Sequence, residues 1–322
     1  MWFATFFTTF AANKFSETAL TFRFLNMTRK KKIMIIVFSL ITICCLWYWW
    51  ALWLIDGSKT KVTYTEFRMS DNNQFLMTDE GYIFDTGANA TLLYASKTVN
   101  ACWLCFSFSI DNKNNISWDS YYYTKSCQVG KGFNIFGFVC QRPDTTVHSK
   151  VFPDIKGIIG TNVLRKANWL YSLKLHKAAA FPLDSIVSIP DDAITFSYHE
   201  HWRLPLTDLA INGQILKNVL IDTGFDEDLL LKDGTDAPIN LGEVIQQDSV
   251  ERIAINSKWM LQKKVFKSVK VNSKSYQNLN VILGGNSRNL LGLGFMRRFD
   301  YIFWDSKHKK VYLWNDKSSE NK

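Results

Sequence analysis

Hydrophobic and polar positions change character sharply along this chain. Ile33 to Ile55 reads IMIIVFSLITICCLWYWWALWLI, without a charge over 23 positions. A helix of that length covers roughly 34 Å, enough to cross a hydrocarbon core of about 30 Å. Trp47, Tyr48, Trp49, Trp50 and Trp53 crowd its C-terminal half, where an aromatic belt would meet a membrane interface. Beyond Asp56 the pattern becomes alternation. Leu204 to Ile211 alternates, Asn212-Gly213 is a hairpin turn, and Ile215 to Ile221 is the returning strand. Tyr301 to Trp304, Asp305 to His308 and Lys310 to Leu313 read as a terminal hairpin. Short helices are expected only around Asn162 to Lys166 and Phe295 to Phe299. The predicted class is mostly β with short helices, preceded by one transmembrane helix.

The downstream pattern also repeats. Ile158-Ile159-Gly160 lies 132 positions before Leu290-Leu291-Gly292, and His176-Lys177 stands opposite His308-Lys309 at the same spacing. Asp85-Thr86-Gly87 and Asp222-Thr223-Gly224 are 137 positions apart. Each tripeptide precedes its apolar-apolar-glycine by a similar distance, 75 positions from Asp85 to Gly160 and 70 from Asp222 to Gly292. One such tripeptide is an ordinary turn sequence. Two, each followed by the same second motif, indicate a duplicated unit. The expected organisation is a cytoplasmic segment over residues 1–32, a transmembrane helix over 33–55, a first lobe over 60–190 and a second over 200–315.

Composition refines this. The 322 residues are 47% hydrophobic and 15% aromatic, enough for a sizeable core after the anchor. The net charge of +9 raises nucleic acid as a partner. The lysines are dispersed, however, and the one tight run, Arg29 to Lys32, abuts the apolar segment. Topology explains that run better: basic residues before a span keep the N-terminus cytoplasmic and place everything after Asp56 outside. No nucleic-acid partner is expected. A cleaved signal peptide is the rival reading, but the apolar run is long and no small-residue cleavage site follows it.

Four cysteines follow the span: Cys102, Cys105, Cys127 and Cys140. In an oxidising compartment they would form two disulfides, with free thiols the alternative and a metal site a distant third. Asp226, Glu227 and Asp228 read as a solvated turn. His199-Glu200-His201 reads as part of a linker between the lobes. Asn89-Ala90-Thr91 and Asn115-Ile116-Ser117 fit glycosylation acceptors.

An apolar strand entering Asp-Thr-Gly, then an apolar-apolar-Gly and a short helix, resembles the retropepsin-like and pepsin-like aspartic peptidase superfamily. The resemblance covers approximately residues 62–315. It is carried by Tyr82-Ile83-Phe84-Asp85-Thr86-Gly87-Ala88 with Ile158-Ile159-Gly160, and by Val219-Leu220-Ile221-Asp222-Thr223-Gly224 with Leu290-Leu291-Gly292. It implies a bilobal, pseudo-twofold acid-protease-like β-barrel fold. It also implies an intramolecular Asp85/Asp222 catalytic dyad, supporting loops at Thr86, Gly87, Thr223 and Gly224, and no obligate dimer. Phe225 departs from the pattern, which has alanine or serine there. The expected activity is peptide-bond hydrolysis by an activated water, without cofactor or metal, on a peptide or protein substrate outside the membrane (periplasmic in a bacterial host). A covering β-hairpin is expected around Gly130 and Gly132 in the first half and near Ile255 to Trp259 in the second. The alternatives are a silent peptide-binding receptor on the same scaffold and a structural membrane protein.

Overall fold

The computed structural model describes residues 28–55, 62–70, 74–94, 101–110, 116–141, 150–232, 240–254, 257–284 and 288–316. Helix α1 (Arg29–Ile55) contains the whole apolar run. It is long and apolar enough to cross a membrane, and its large side chains from Ile33 to Trp53 are mostly exposed.

The strands after it belong to one compact unit, Trp53–Lys322. The first half runs through β1 (Thr65–Arg68), β2 (Tyr82–Phe84), β3 (Thr91–Leu93), β4 (Ala101–Ile110), β5 (Ile116–Gly130), β6 (Phe133–Gln141), β7 (Gly157–Ile159), α2 (Thr161–Leu164), β8 (Asn168–Ser172) and β9 (Lys177–Phe181). The second half runs through β10 (Ile194–Ser197), β11 (His199–His201), β12 (Leu204–Ile211), β13 (Gln214–Asp222), β14 (Leu229–Leu231), β15 (Val244–Ala254), β16 (Ser257–Val271), β17 (Lys274–Leu283), β18 (Leu290–Gly292), α3 (Leu293–Met296), β19 (Tyr301–Asp305) and β20 (Lys310–Trp314).

The two halves repeat one topology. In the first, β2 pairs parallel with β7, β7 antiparallel with β3, and β3 parallel with β6. In the second, β13 pairs parallel with β18, β18 antiparallel with β14, and β14 parallel with β17. Each half adds a long antiparallel hairpin, β4–β5 and β15–β16. A six-stranded sheet joins them in the order β1-β9-β8-β19-β20-β10, with β8 against β19 at its centre. This is the duplicated, mostly β architecture expected from the motif spacing. The halves share one unit because that central sheet draws three strands from each.

Local sequence explains several elements. Asn212 and Gly213 both take positive φ, 47° and 85°, the conformation a two-residue hairpin between right-twisted strands requires. The short helices begin directly at Gly160 and Gly292, slightly earlier than the pattern suggests. Trp169, 1% exposed, fills the centre of the core against Phe84 and Phe133, and its indole N–H donates to the Leu164 carbonyl at 2.6 Å. His199 to His201 is not a linker. It is strand β11, paired with β12, and Glu200 forms ion pairs with Lys309 and Arg165.

The expected disulfides are absent: Cys102, Cys105, Cys127 and Cys140 are free thiols. Register gives the reason. Cys105 pairs opposite Tyr121, and Tyr121 opposite Gln141, so β5 separates the β4 cysteines from Cys140. Two strand spacings are roughly 9–10 Å, whereas a disulfide needs Cα atoms within about 7 Å. Cys102 and Cys105 lie three residues apart on one strand, roughly 10 Å. Cys127 sits four residues along β5 from Tyr123, which faces Cys102, and its own partner Ile135 is five residues from Cys140. All six cysteines of the chain should therefore alkylate under denaturing, non-reducing conditions, as read by intact mass; four unreactive cysteines would contradict the register.

Candidate active site

The two Asp-Thr-Gly loops converge. Strand β2 is wholly buried and delivers Asp85, whose N–H donates to the Ile159 carbonyl at 3.1 Å. In β13, Val219 to Ile221 are buried, and Asp222 lies opposite Gly292. After each aspartate the chain turns and returns on the far side of β7 or β18, as β3 or β14. The turn aims backbone N–H groups at the carboxylates. Gly87 and Ala88 donate to Asp85 Oδ1 at 2.7 and 3.1 Å, and Gly224 donates to Asp222 Oδ1 at 2.9 Å.

The loops are tied reciprocally. Thr86 Oγ1 donates to the Ile221 carbonyl at 2.7 Å, and Thr223 Oγ1 donates to the Phe84 carbonyl at 2.8 Å. Each hydroxyl also accepts the other threonine's backbone N–H at 3.0 Å. Both threonines are buried, 4% and 2% exposed, so these four bonds are shielded from water.

The glycines let the halves close. A Cβ on Gly87 would lie 2.5 Å from both carboxylate oxygens of Asp222, and one on Gly224 within 2.6 Å of both of Asp85. Each carboxylate thus rests on the opposite loop's glycine, which places the two carboxyls close enough to influence one another. Burial raises Asp85 above the ordinary carboxylate range, partly offset by the Asp222 carboxyl and by the Gly87 and Ala88 N–H groups. Burial raises Asp222 further, with the Asp85 charge adding to it. Tyr94, just after β3, is also raised, by burial and then by the Asp85 charge.

The surrounding supports differ between the halves. In the first, Thr91 Oγ1 donates to Asn162 Oδ1 at 2.8 Å and accepts the Gly160 N–H at 3.2 Å, while Asn162 Nδ2 donates to the Val139 carbonyl. The threonine of the glycosylation-like tripeptide is therefore a buried brace. In the second half, Asp228 is not part of a solvated turn. It is 2% exposed, accepts Arg298 Nη2 at 2.7 Å, Arg298 Nε at 3.1 Å and the Asn280 N–H at 2.7 Å, and its carbonyl accepts the Gly292 N–H. Glu227 pairs with Lys263 of β16 at 2.9 Å, fastening the second loop to its hairpin.

Gly130 and Gly132 do not stand in an overhanging hairpin. They flank the turn between β5 and β6, and a Cβ on Gly130 would sit 3.6 Å from Phe67 and Phe133 side-chain atoms, so this turn packs against β1 in the central sheet. Its counterpart is the β16–β17 turn at Asn272 and Ser273. The long hairpins are β4–β5 and β15–β16; residues 111–115 and 255–256 lie outside the described residues. Of the second-half expectation, Ile255 and Asn256 lie outside the described residues, and Ser257 to Trp259 open β16.

No family model and no curated protein matches this chain. Among solved structures it is similar to a retropepsin-like aspartic protease from Rickettsia conorii, at 18% identity and a TM-score of 0.29, over 38% of this chain and 89% of that one.

Two outcomes follow from the geometry. Thr223→Val leaves the Thr86 N–H and the Phe84 carbonyl without their partner and should cost about 2–4 kcal/mol in denaturant unfolding. The dyad itself should make stability fall as pH rises. A carboxyl whose folded pKa is raised holds its proton in the folded chain where the unfolded chain has lost it, so its stabilisation is complete below about pH 4 and is lost as pH climbs through the raised value. Asp222→Asn removes the repulsion, so it should unfold at a higher temperature than the parent at pH 7 and show a flatter pH profile above pH 4. An unchanged profile would mean the carboxylates do not interact.

Proposed function

We propose that the chain is a membrane-anchored aspartic endopeptidase, with Asp85 and Asp222 as its dyad. The observation that carries the reading is the pair of carboxyls, each packed against the opposite loop's glycine across a shielded threonine brace. Two carboxylates in contact cannot both ionise readily, so the pair retains one proton above the usual carboxylate range. The titration belongs to the pair. Asp85, with two N–H donors on one oxygen, is the better seat for the negative charge; Asp222, raised further, is the better seat for the proton.

The chemistry then divides. The charged carboxylate takes a proton from a water held between the two, and that water's oxygen bonds to the peptide carbonyl carbon. The neutral carboxyl donates its proton to the carbonyl oxygen, giving a tetrahedral gem-diol. The carboxyl that took the water proton passes it to the peptide nitrogen while the other carboxylate takes a proton from one gem-diol hydroxyl; the C–N bond breaks, giving a carboxylic acid and an amine, and the pair is again singly protonated. The half-buried position of both aspartates suits this work: burial raises the pKa while one side stays open to substrate. The hairpins β4–β5 and β15–β16 extend from equivalent places in the two halves and would cover a bound peptide from both sides, excluding bulk water. One chain supplies both aspartates, so the dyad needs no second copy.

Helix α1 would anchor this unit, with Arg29 to Lys32 on the cytoplasmic side and the peptidase outside, acting on a peptide or protein substrate. Asp85→Asn and Asp222→Asn should each reduce cleavage of a peptide library by at least 1,000-fold (on the order of the loss seen when a concerted catalytic group is removed) while both proteins remain folded. Full activity in either variant contradicts the dyad.

A further inference from the structure

We propose that the second half carries a binding site for a phosphate monoester, separate from the two aspartates. Four segments build it. Strand alternation in β11 puts His199 and His201 on one face and Glu200 on the other, where Glu200 pairs with Lys309 and Arg165. The two histidines line a cavity of about 450 Å³. Lys217 of β13, Lys232 just after β14 and Arg288 just before β18 line the same cavity. Asn289 ties these segments together. Its carbonyl accepts the Leu220 N–H at 2.9 Å, and its Oδ1 accepts the Lys232 N–H at 2.9 Å. It is buried, so both bonds are shielded from water and the basic residues are carried on a fixed frame. Neither Asp85 nor Asp222 lines the cavity, and the inference stands apart from the peptidase reading.

The chemistry of the lining selects the ligand. Two lysines, an arginine and two imidazoles around one space make a field that concentrates anions. Arg288 sharpens this. Its Nη1 is buried and, among the described residues, has no hydrogen-bond partner. A buried donor left unpaired costs free energy, more so on a charged group, and an anionic oxygen in the cavity would complete it. The guanidinium fork can donate to two oxygens of one phosphate or carboxylate at once. A single carboxylate would bring one negative charge and two oxygens to three permanent cations. A phosphate monoester brings close to two charges and three strong acceptor oxygens, enough for Arg288 and both lysines. The volume lies in the range of small-molecule sites, which leaves room for the organic part of the ester.

Isothermal titration calorimetry of the full chain in an uncharged detergent, with glycerol 3-phosphate as the probe, tests this. One saturable site per chain is expected. Arg288→Gln should weaken binding by about 10- to 100-fold, the range for losing a charge-assisted hydrogen bond. Lys217→Gln, at an exposed position, should weaken it by about 2- to 5-fold, and serves if the Arg288 variant does not fold. Because Arg288 Nη1 has no partner to lose, Arg288→Gln without ligand should melt no lower than the parent, a result that a merely structural arginine would not give. Asp222→Asn should bind like the parent. Repeating the titration in phosphatidylcholine nanodiscs with and without phosphatidic acid separates two sources of the ester: binding lost only in the phosphatidic acid discs supports a lipid headgroup, and unchanged binding supports a soluble ligand. No saturable binding, or undiminished affinity in the Arg288 and Lys217 variants, overturns the inference. A glutamate-rich peptide bound more tightly than glycerol 3-phosphate overturns the phosphate assignment. Loss of binding in Asp222→Asn places the anion at the dyad and overturns the separate site.

Discussion

Four hydrogen bonds between Thr86 and Thr223 and the strands behind them join segments 137 residues apart, and the geometry around the carboxylates depends on them. Each threonine gives its hydroxyl proton to the other half's strand and takes the other threonine's N–H. Because the groups are buried, breaking one bond strands a polar atom without water to replace it. That asymmetry between making and losing a buried bond keeps two loops of separate origin in one register. The glycines complete the arrangement, since a methyl group at position 87 or 224 would collide with the opposing carboxylate.

Duplication supplies the scaffold, and divergence sets what it can do. Both halves place an outgoing and a returning strand on either side of a third and brace the returning chain against the turn that opens a short helix. The first half uses a neutral pair, Thr91 with Asn162; the second uses a charge pair, buried Asp228 with partly exposed Arg298. A buried ion pair with all its bonds made holds its neighbours in one arrangement, and removing one partner costs more than the pair contributes in net stability. The same divergence places Ala88 beside one aspartate and Phe225 beside the other.

Much of this could be read in the sequence, for identifiable reasons. Asp85 and Asp222 stood out because the tripeptide recurs with a second motif at matched distance. The β12–β13 hairpin was legible because Asn212-Gly213 has a strong conformational preference. The long hairpins were harder. Ala101 to Phe106 is continuously apolar and alternation is confined to Phe106 to Ile110, so Gly130 and Gly132 drew attention to the wrong turn. A glycine marks a bend without saying what the bend packs against. Asp228 looked solvated because its sequence neighbours are acidic; its partner Arg298 lies 70 positions away. The cysteine pairing failed likewise, since strand register, and not spacing, decides which sulfurs can meet.

The central physical claim is that Asp85 and Asp222 are held in contact and share one proton. Carbon-13 NMR of the intact chain with labelled aspartate carboxyls, titrated from pH 2 to pH 8, measures this directly. The account predicts two resonances that each follow both of two coupled transitions, with the upper transition well above the usual aspartate range. Two independent transitions near pH 4 would contradict it.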